Sequence, residues 1–510
     1  MLVLGIPPPL LTDSYKTTHF HLYPEAQKMV AYGEFRAGFN KDTNDSRMVF
    51  YGMRYIIENY VAVKWTREDV EMAEQFFKTH NAGFTEFPFP KDLFLKFVDE
   101  NDGGFPVRID ALPEGTVVFP HLPVYQITAE NEYARLVTYL ETVLTMIWYP
   151  STVATLSRRS RDLIEAAYEK SVDEKGYWTL DSRLHDFGFR GCTSVEQSII
   201  GGCAHLLNFE GTDTMSAAFY AQFKLNNGRA VATSIPATEH SVMTSYPTEV
   251  EAMSVLLERY GSGVCACVMD SYDYVEALET VLPAIAKLKC KKGGFLVLRP
   301  DSGDPVEVVL QGLRAIDKVF GSDLNAKGYK VVRGASVIQG DAVTYDSLGK
   351  MLAAVLDAGF AAQTVGFGMG GGLLQKVNRD TMSFATKLSK VVNKDGSERE
   401  VMKMPKTGAD KFSLPGEFHI VRNSQSIPIV YPSPPPLPLS STPSLLQTVY
   451  DHNRPLPTKW DDFTTVRERV KREWTAVPKA VDVLSPELRA RIEVFKESRA
   501  GTPVHKVNGV

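Results

Sequence analysis

The sequence has few cysteines, no surplus of basic residues and no long apolar run. Its five cysteines are odd in number and form no C-x-x-C pair, which argues against a disulfide framework and for buried thiols in a reducing compartment. Lys and Arg number 56 against 61 Asp and Glu, a net charge of −5, so a general nucleic-acid binder is not expected. No segment approaches the ~20 apolar residues of a membrane span. The N-terminus lacks a basic n-region and is interrupted by Pro7, Pro8 and Pro9, which argues against a signal peptide. We therefore expect a cytoplasmic protein that binds neither nucleic acid nor membrane.

A repeating pattern occupies the middle of the chain, from about residue 180 to 375. Seven short β-prone runs each end in polar or glycine-rich residues and precede a helical pattern, at intervals of 27 to 40 residues. A strand, a loop and a crossover helix together need about 30 residues, so the pattern predicts a parallel βα array. A closed, irregular TIM-like barrel is favoured over a doubly wound open sheet, because polar residues follow every strand and not one switch point. The runs end near Asp186, Asp213, His240, Asp270, Asp301, Asp341 and Gly370.

The flanking segments differ from this pattern and mix strands with helices. They predict a second, discontinuous α+β domain made of residues 1–180 and 379–510, beside an α/β barrel over 181–378. A helix is predicted over 132–148, ended by Pro150. Seven prolines within 428–443 predict an extended surface loop that does not join a sheet.

The carboxyl ends of barrel strands share one mouth, and the residue types delivered there indicate a chemistry. Glycines before a helix leave backbone N–H groups free to face an anion, and arginine forks match phosphate oxygens. Carboxylates hold ribose hydroxyls or Mg²⁺. Each residue alone also has a structural explanation, a turn for Asp301 and core packing for His240. Their common location nevertheless predicts a site for a phosphorylated sugar. The residues are Asp186, Arg190, Asp213, Glu239, His240, Asp270, Asp273, Arg299, Asp301 and Asp341, with Gly366, Gly368, Gly370, Gly371 and Gly372.

Twelve ordered motifs resemble the nicotinamide phosphoribosyltransferase family over nearly the whole chain. They are TDSYKTTH, GEFR, VFYGMRYI, WYPSTVATLSR, LHDFGFRG, HLLNFEGTDT, IPATEHS, MDSYD, LRPDSGDP, VIQGD, FGMGGGLLQKVNRD and LLQTVYD. The resemblance implies the same barrel with a second domain, working as a homodimer with sites at the subunit interface. It also implies a reaction, in which nicotinamide displaces pyrophosphate from 5-phosphoribosyl-1-pyrophosphate (PRPP) in NAD salvage.

The resemblance further implies roles for single residues. Nicotinamide would lie between Phe187 and Tyr15 of the other subunit, with Asp213 accepting from its carboxamide and repelling the carboxylate of nicotinate. His240 would be phosphorylated by ATP, with Glu239 or Asp273 as the group that orients its ring. Mg²⁺ would be held mainly by pyrophosphate. For PRPP the implied residues are Arg190, Arg299, Asp301, Gly340, Asp341 and Gly371, with Arg36 and Arg379 crossing the interface, and for ATP they are Lys387, Lys403 and Lys411.

Three other functions compete with this hypothesis. A nicotinate phosphoribosyltransferase would lack an acidic group at Asp213. A lyase or aldolase acting on a phosphorylated sugar often needs a Schiff-base lysine at a strand end, and none is evident in the motifs. A catalytically silent binding protein is disfavoured by the intact polar residues. One departure from the family pattern is Met269, where a serine is usual.

Overall fold

The computed structural model describes residues 5–405, 412–452 and 460–500. Within these residues the strands are β1 Ala26–Phe35, β2 Met48–Val49, β3 Arg108–Ala111, β4 Val117–Val118, β5 Pro123–Glu130, β6 Leu184–Asp186, β7 Val264–Val268, β8 Phe295–Arg299, β9 Ser322–Leu324, β10 Lys330–Val332, β11 Ala335–Gln339, β12 Val365–Met369, β13 Phe384–Asn393, β14 Glu398–Glu400, β15 Phe418–Arg422, β16 Pro428–Pro432 and β17 Gln447–Asp451. The α-helices are α1 Lys16–Leu22, α2 Met53–Ile56, α3 Arg67–Phe77, α4 Lys91–Glu100, α5 Glu141–Thr145, α6 Trp148–Ser171, α7 Val195–Leu206, α8 Met215–Phe219, α9 His240–Thr244, α10 Glu249–Tyr260, α11 Tyr274–Glu276, α12 Leu282–Lys292, α13 Pro305–Phe320, α14 Tyr345–Asp357, α15 Gly371–Leu374, α16 Phe463–Ala476 and α17 Pro486–Ala500.

The chain divides into two compact units. Unit 1 consists of Met1–Thr152, Arg379–Asp461 and Glu468–Val510, and unit 2 consists of Val153–Asn378 and Asp462–Arg467. Unit 2 therefore begins before the predicted boundary at 181. The reason is that α6 packs within unit 2 beyond Val153, where Asn208 Nδ2 donates to the carbonyl of Ala154 at 3.1 Å.

Unit 1 is built around an antiparallel sheet that combines both ends of the chain. Its strand order is β14-β13-β1-β5-β3-β17, so strands from the C-terminal segment lie at both edges. In the centre, Tyr32 of β1 is opposite Lys387 of β13 and Gln126 of β5. An aromatic cluster stabilises this unit beside the sheet, because Trp65 packs against Phe94 and other rings at centroid distances of 5.1 to 6.0 Å.

Two sequence predictions about proline in the flanking segments were wrong. Pro150 does not end a helix over 132–148. It lies in the first turn of α6, where its missing N–H removes no hydrogen bond. The segment 428–443 is not wholly a loop, because Pro428–Pro432 forms β16 and pairs with β15.

The register of β16 explains why it tolerates proline at both ends. Val430 donates its N–H to Val483, away from β15, at 2.8 Å. Side chains and N–H groups alternate along a strand, so Pro428 and Pro432 share the orientation of Val430. Neither proline therefore stands where β15 needs a donor.

Unit 2 is an irregular parallel barrel. Five strands form one sheet in the order β6-β12-β11-β8-β7, with every pair parallel. Three isolated parallel bridges close the ring, Asp186↔Thr212, Gly211↔Thr233 and Ala237↔Ala266. The α/β fold class is thus confirmed. Of the seven predicted strands, however, the two that precede Asp213 and His240 make only these single bridges.

The interior of the barrel is apolar, and the helices surround it. Ala266, Val297 and Ile338 form a buried cluster on adjacent strands, against which Phe187 and Ile235 pack. Of the helices that the structure describes, none combines the length and the apolar composition that crossing a bilayer requires.

Candidate active site

A cavity of about 780 Å³ lies at the carboxyl ends of the barrel strands in unit 2. Such a position is where enzymes with this fold carry their active sites. The cavity is lined by ten of the predicted site residues, which come from chain segments far apart in sequence. They are Phe187, Arg190, Asp213, Glu239, Arg299, Asp301, Gly340, Asp341, Gly370 and Gly371.

Phe187 forms an apolar wall of the cavity above the barrel core. It follows β6 and packs against the cluster of Ala266, Val297 and Ile338. A Cβ at Gly368 would lie 2.0 Å from the Phe187 ring, so the absence of a side chain there is what admits the ring. The sequence left the glycine run open between anion binding and tight packing, and the structure shows that Gly368 packs against the Phe187 ring.

Asp213 lines the cavity and directly follows Thr212, which forms an isolated bridge with Asp186. Its backbone N–H donates to the carbonyl of Asp186 at 3.0 Å, and the Ser234 hydroxyl donates to Asp213 Oδ1 at 2.6 Å. Ser234 was not among the predicted residues, and only the fold brings it beside Asp213. His185 also lines the cavity; burial lowers the pKa of its imidazole, and the nearby Asp213 charge opposes this shift.

The turn after β8 places Arg299 and Asp301 side by side. Arg299 Nη1 donates to Asp301 Oδ1 at 3.2 Å and Nη2 to the carbonyl of Thr238 at 3.5 Å. Gly340 adjoins them, since a Cβ there would lie 3.7 Å from Asp301 Oδ1. The Arg299 guanidinium, the Asp301 carboxylate and the Gly340 backbone therefore lie next to one another.

His240 begins α9 and turns its ring toward this group. Its Nε2 lies 3.4 Å from Asp301 Oδ2 and 3.8 Å from Asp270 Oδ1, and its Nδ1 lies 3.2 Å from Ser271 Oγ. Carboxylates that face Nε2 favour the tautomer with a proton there, and in that tautomer Nδ1 accepts from the Ser271 hydroxyl.

Neither residue that was considered for orienting His240 does so among the described contacts. Glu239 accepts from the Ser241 hydroxyl instead. Asp273 caps α11 by accepting from the N–H of Glu276 at 2.9 Å. Ser271 takes the orienting position. The MDSYD motif contained both Asp270 and Ser271, but the sequence does not show which polar side chains of a turn face inward.

Two further positions of the predicted mouth have structural roles. Asp186 is fully buried; burial raises the pKa of its carboxyl to about 6, and it accepts from the N–H of Gly188 at 2.7 Å. Met269 is buried as well, 1% exposed, and does not line the cavity. Gln375, which sequence reasoning missed, lines the cavity and donates from Nε2 to the carbonyl of Gly188 at 3.1 Å.

The described residues implied for the partner's site and for ATP belong to unit 1, namely Tyr15, Arg36, Arg379, Lys387 and Lys403. Tyr15 is 56% exposed, and Arg379 is exposed as well. Burial lowers the pKa of the Lys387 ammonium, and the neighbouring charges of Arg36 and Lys403 add to this effect. The negative charges of Glu141 and Glu34 oppose this shift. Lys411 lies outside the described residues.

Comparison with known proteins places the chain among phosphoribosyltransferases. The family model described as nicotinate phosphoribosyltransferase (NAPRTase) family matches residues 182–424. The model described as nicotinamide phosphoribosyltransferase, N-terminal domain, matches residues 9–109.

Two relatives support this placement, and one solved structure shares the fold. A nicotinamide phosphoribosyltransferase of Xanthomonas campestris is 39% identical over 421 residues, which cover 81% of this chain and 87% of that protein. One from Mycoplasma genitalium is 27% identical, covering 81% and 95%. The crystal structure of human nicotinic acid phosphoribosyltransferase has a similar fold, with a TM-score of 0.63 at 16% identity, covering 95% of this chain and 100% of that one.

Proposed function

The chain belongs to the nicotinamide phosphoribosyltransferase family, and we propose that it transfers the phosphoribosyl group of PRPP to nicotinamide. The pyridine nitrogen attacks the anomeric carbon while the bond from that carbon to pyrophosphate breaks. The products are nicotinamide mononucleotide and pyrophosphate, so the enzyme is a pentosyltransferase of NAD salvage. The observation that carries this proposal is the single cavity that unites Phe187, Asp213, Arg299 and Asp301.

The proposed nicotinamide pocket combines an aromatic wall with a carboxylate. The Phe187 ring offers a face on which a pyridine stacks. The Asp213 carboxylate accepts a hydrogen bond from a carboxamide N–H, whereas it would meet the carboxylate of nicotinate with like charge. The pocket therefore favours the amide over the acid.

The proposed PRPP site uses the other side of the cavity. Arg190 and Arg299 neutralise the leaving pyrophosphate, which is the group on which negative charge develops. Asp301 and Asp341 hold ribose hydroxyls next to Gly340, and the Gly371 N–H meets the 5′-phosphate.

Mg²⁺ is proposed to enter with the pyrophosphate of the substrate. Within the described residues, no three His, Cys, Asp or Glu side chains form a group that could hold a metal ion by themselves. Asp301 and Asp341 nevertheless line the cavity and offer the oxygen ligands that Mg²⁺ prefers. Substrate oxygens would complete its coordination.

The role proposed for His240 is that of a phosphoryl acceptor. The γ-phosphoryl group of ATP moves to a ring nitrogen as ADP leaves, and water later cleaves the phosphorus–nitrogen bond. Lys387 and Lys403 are proposed to supply counter-charges to the ATP phosphates.

The proposed assembly is a homodimer with sites at the interface. Exposed apolar side chains that a partner would cover include Met215, 82% exposed, Phe219, 59%, and Phe223, 52%. Tyr15 and Arg379 are exposed in unit 1, as residues that complete a partner's site must be.

The experiment that tests the proposed function is a turnover assay. The purified full chain is mixed with PRPP and Mg²⁺ and with either nicotinamide or nicotinate, each with and without ATP. We expect nicotinamide mononucleotide to form, and ATP to increase its rate. Preferential turnover of nicotinate would establish the alternative, a nicotinate phosphoribosyltransferase. Turnover of neither pyridine would exclude both activities.

A further inference from the structure

The side chain of Asp270 connects two parts of the cavity wall that the proposed function uses separately. Asp270 follows β7, and its side chain is only 3% exposed. Its Oδ2 accepts two hydrogen bonds from the turn after β8, from the backbone N–H of Asp301 at 2.9 Å and from the Ser302 hydroxyl. Its Oδ1 faces His240 Nε2 at 3.8 Å.

The two oxygens of Asp270 are in unequal environments. Oδ2 has two donors, whereas Oδ1 is buried without a hydrogen-bond partner in the described part of the chain. A buried carboxylate oxygen that lacks a donor is costly, so such a group in a native fold calls for an explanation. The negative charge of Oδ1 faces the His240 ring, and this interaction provides the explanation.

The turn held by Asp270 carries Asp301 and follows Arg299, the last residue of β8. Because Asp270 bonds to the backbone of Asp301, it fixes the position from which Asp301 Oδ2 reaches His240 Nε2 at 3.4 Å. A shift of this turn would move the carboxylate, the arginine bonded to it and the imidazole together. A shift of the imidazole would in turn be transmitted to the turn.

We propose that Asp270 is a positioning residue that couples the ATP-dependent step at His240 to the binding of PRPP by the turn after β8. The proposal rests on the proposed function and deepens it. One oxygen holds the turn in its binding geometry, and the other orients the protonated Nε2 face of the imidazole. Because each task belongs to a different oxygen, a substitution can remove one task and keep the other.

Asp270→Asn and Asp270→Ala distinguish the two tasks. In Asp270→Asn the amide oxygen still accepts from Asp301 and Ser302, while an N–H₂ group replaces the oxygen that faces His240. We expect its KM for PRPP to stay within about twofold of the wild-type value while the stimulation of kcat by ATP is lost. Asp270→Ala removes both tasks, so the KM for PRPP should also rise at least about tenfold.

A matched control comes from the same turn. Asp304 caps α13 by accepting from the N–H groups of Val306 and Glu307 at 3.0 Å. Asparagine caps helices equally well, so Asp304→Asn should change neither the KM for PRPP nor the stimulation by ATP. If Asp270→Ala fails to fold, Ser302→Ala removes one donor of Oδ2 and should raise the KM for PRPP by about fivefold with stimulation retained.

The outcomes separate this inference from the proposed function. Wild-type protein that makes no mononucleotide would overturn the proposed function itself. Wild-type turnover that is stimulated by ATP, together with equal losses in Asp270→Asn and Asp270→Ala, would overturn the role of Asp270 alone. Full stimulation by ATP in Asp270→Asn would do the same. The split between KM and kcat is the result that supports the proposal, since a residue needed only for folding would not produce it.

Discussion

The hydroxyl of Ser234 donates a hydrogen bond of 2.6 Å to Asp213 Oδ1. Ser234 lies in the segment 233–237, which bridges to Gly211 on one side and to Ala266 on the other. The residue proposed to choose between nicotinamide and nicotinate is therefore tied to a segment that forms two of the three bridges closing the barrel. The orientation of Asp213 is therefore set by the part of the barrel that is joined by isolated bridges. The five paired strands form the rest of the ring.

Asp213→Asn should relax the preference for nicotinamide. The substitution removes the charge that repels a nicotinate carboxylate and keeps a side chain of the same shape. Because Asp213 is exposed in this structure, solvent screens the repulsion, and we expect the ratio of the two kcat/KM values to fall by about tenfold, or ~1.4 kcal/mol. Ser234→Ala is the control, since it removes the hydrogen bond and leaves the charge. An unchanged ratio in Asp213→Asn would remove Asp213 from this role.

His240→Ala should keep some phosphoribosyl transfer and lose both ATP hydrolysis and the stimulation of turnover by ATP. Ser271→Ala should weaken the stimulation by about fivefold, because one hydrogen bond to Nδ1 is lost. Both effects are measured as ADP release and mononucleotide formation in the same samples. Asp273→Asn serves as the comparison, since asparagine also caps α11. A greater loss in Asp273→Asn than in Ser271→Ala would mean that Asp273 orients the ring during turnover.

Alanine substitutions at Gly368 and Gly371 should differ in their effect on stability. In Gly368→Ala the new Cβ would lie 2.0 Å from Phe187, so the ring must move. Overpacking of this kind costs about 1–3 kcal/mol, and we expect a lower unfolding midpoint and a higher KM for nicotinamide. A Cβ at Gly371 would lie 3.5 Å from the nearest atom, Gln375 Oε1. Gly371→Ala should therefore fold normally and raise only the KM for PRPP. Equal stability of the two variants would contradict the packing role of Gly368.

The sequence was most informative where several local signals agreed. In α13 these signals agree, because Asp304 caps the helix, Pro305 begins it and its apolar residues keep one face. The positions of the polar residues at the strand ends were also predicted, because the intervals between them match the length of a βα unit. Ten of the predicted site residues consequently line one cavity.

The rest depended on geometry that local patterns do not encode. The spacing predicted the strand-end positions of Asp213 and His240, but Gly211 and Ala237 lie in segments that form isolated bridges and no strands. Proline signals a boundary in sequence, yet Pro150 stands inside the first turn of a helix. The partner of His240 was missed because Asp270, Ser271 and Asp273 are close in sequence, and only the direction of the folded turn selects among them.

Asp186→Asn should stabilise the protein, and more so at higher pH. Burial raises the pKa of the Asp186 carboxyl to about 6, above its value in the unfolded chain. The folded state therefore holds this proton more tightly, and its stability falls as pH rises from the unfolded pKa through the folded pKa. A shift of about two pKa units corresponds to about 3 kcal/mol lost once the pH is well above 6.

Asparagine cannot ionise, and its side-chain oxygen can still accept from the N–H of Gly188, now 2.7 Å from Asp186 Oδ1. We expect Asp186→Asn to gain about 1 kcal/mol more over the wild type at pH 7.5 than at pH 5. Urea unfolding of both proteins at the two pH values measures this difference. Asp181→Asn, at an exposed carboxylate paired with Arg161 at 2.7 Å, is the control and should show no such rise with pH. An advantage of Asp186→Asn that shrinks as pH rises would mean that the buried carboxyl is stabilised in its charged form, contrary to its environment in the fold.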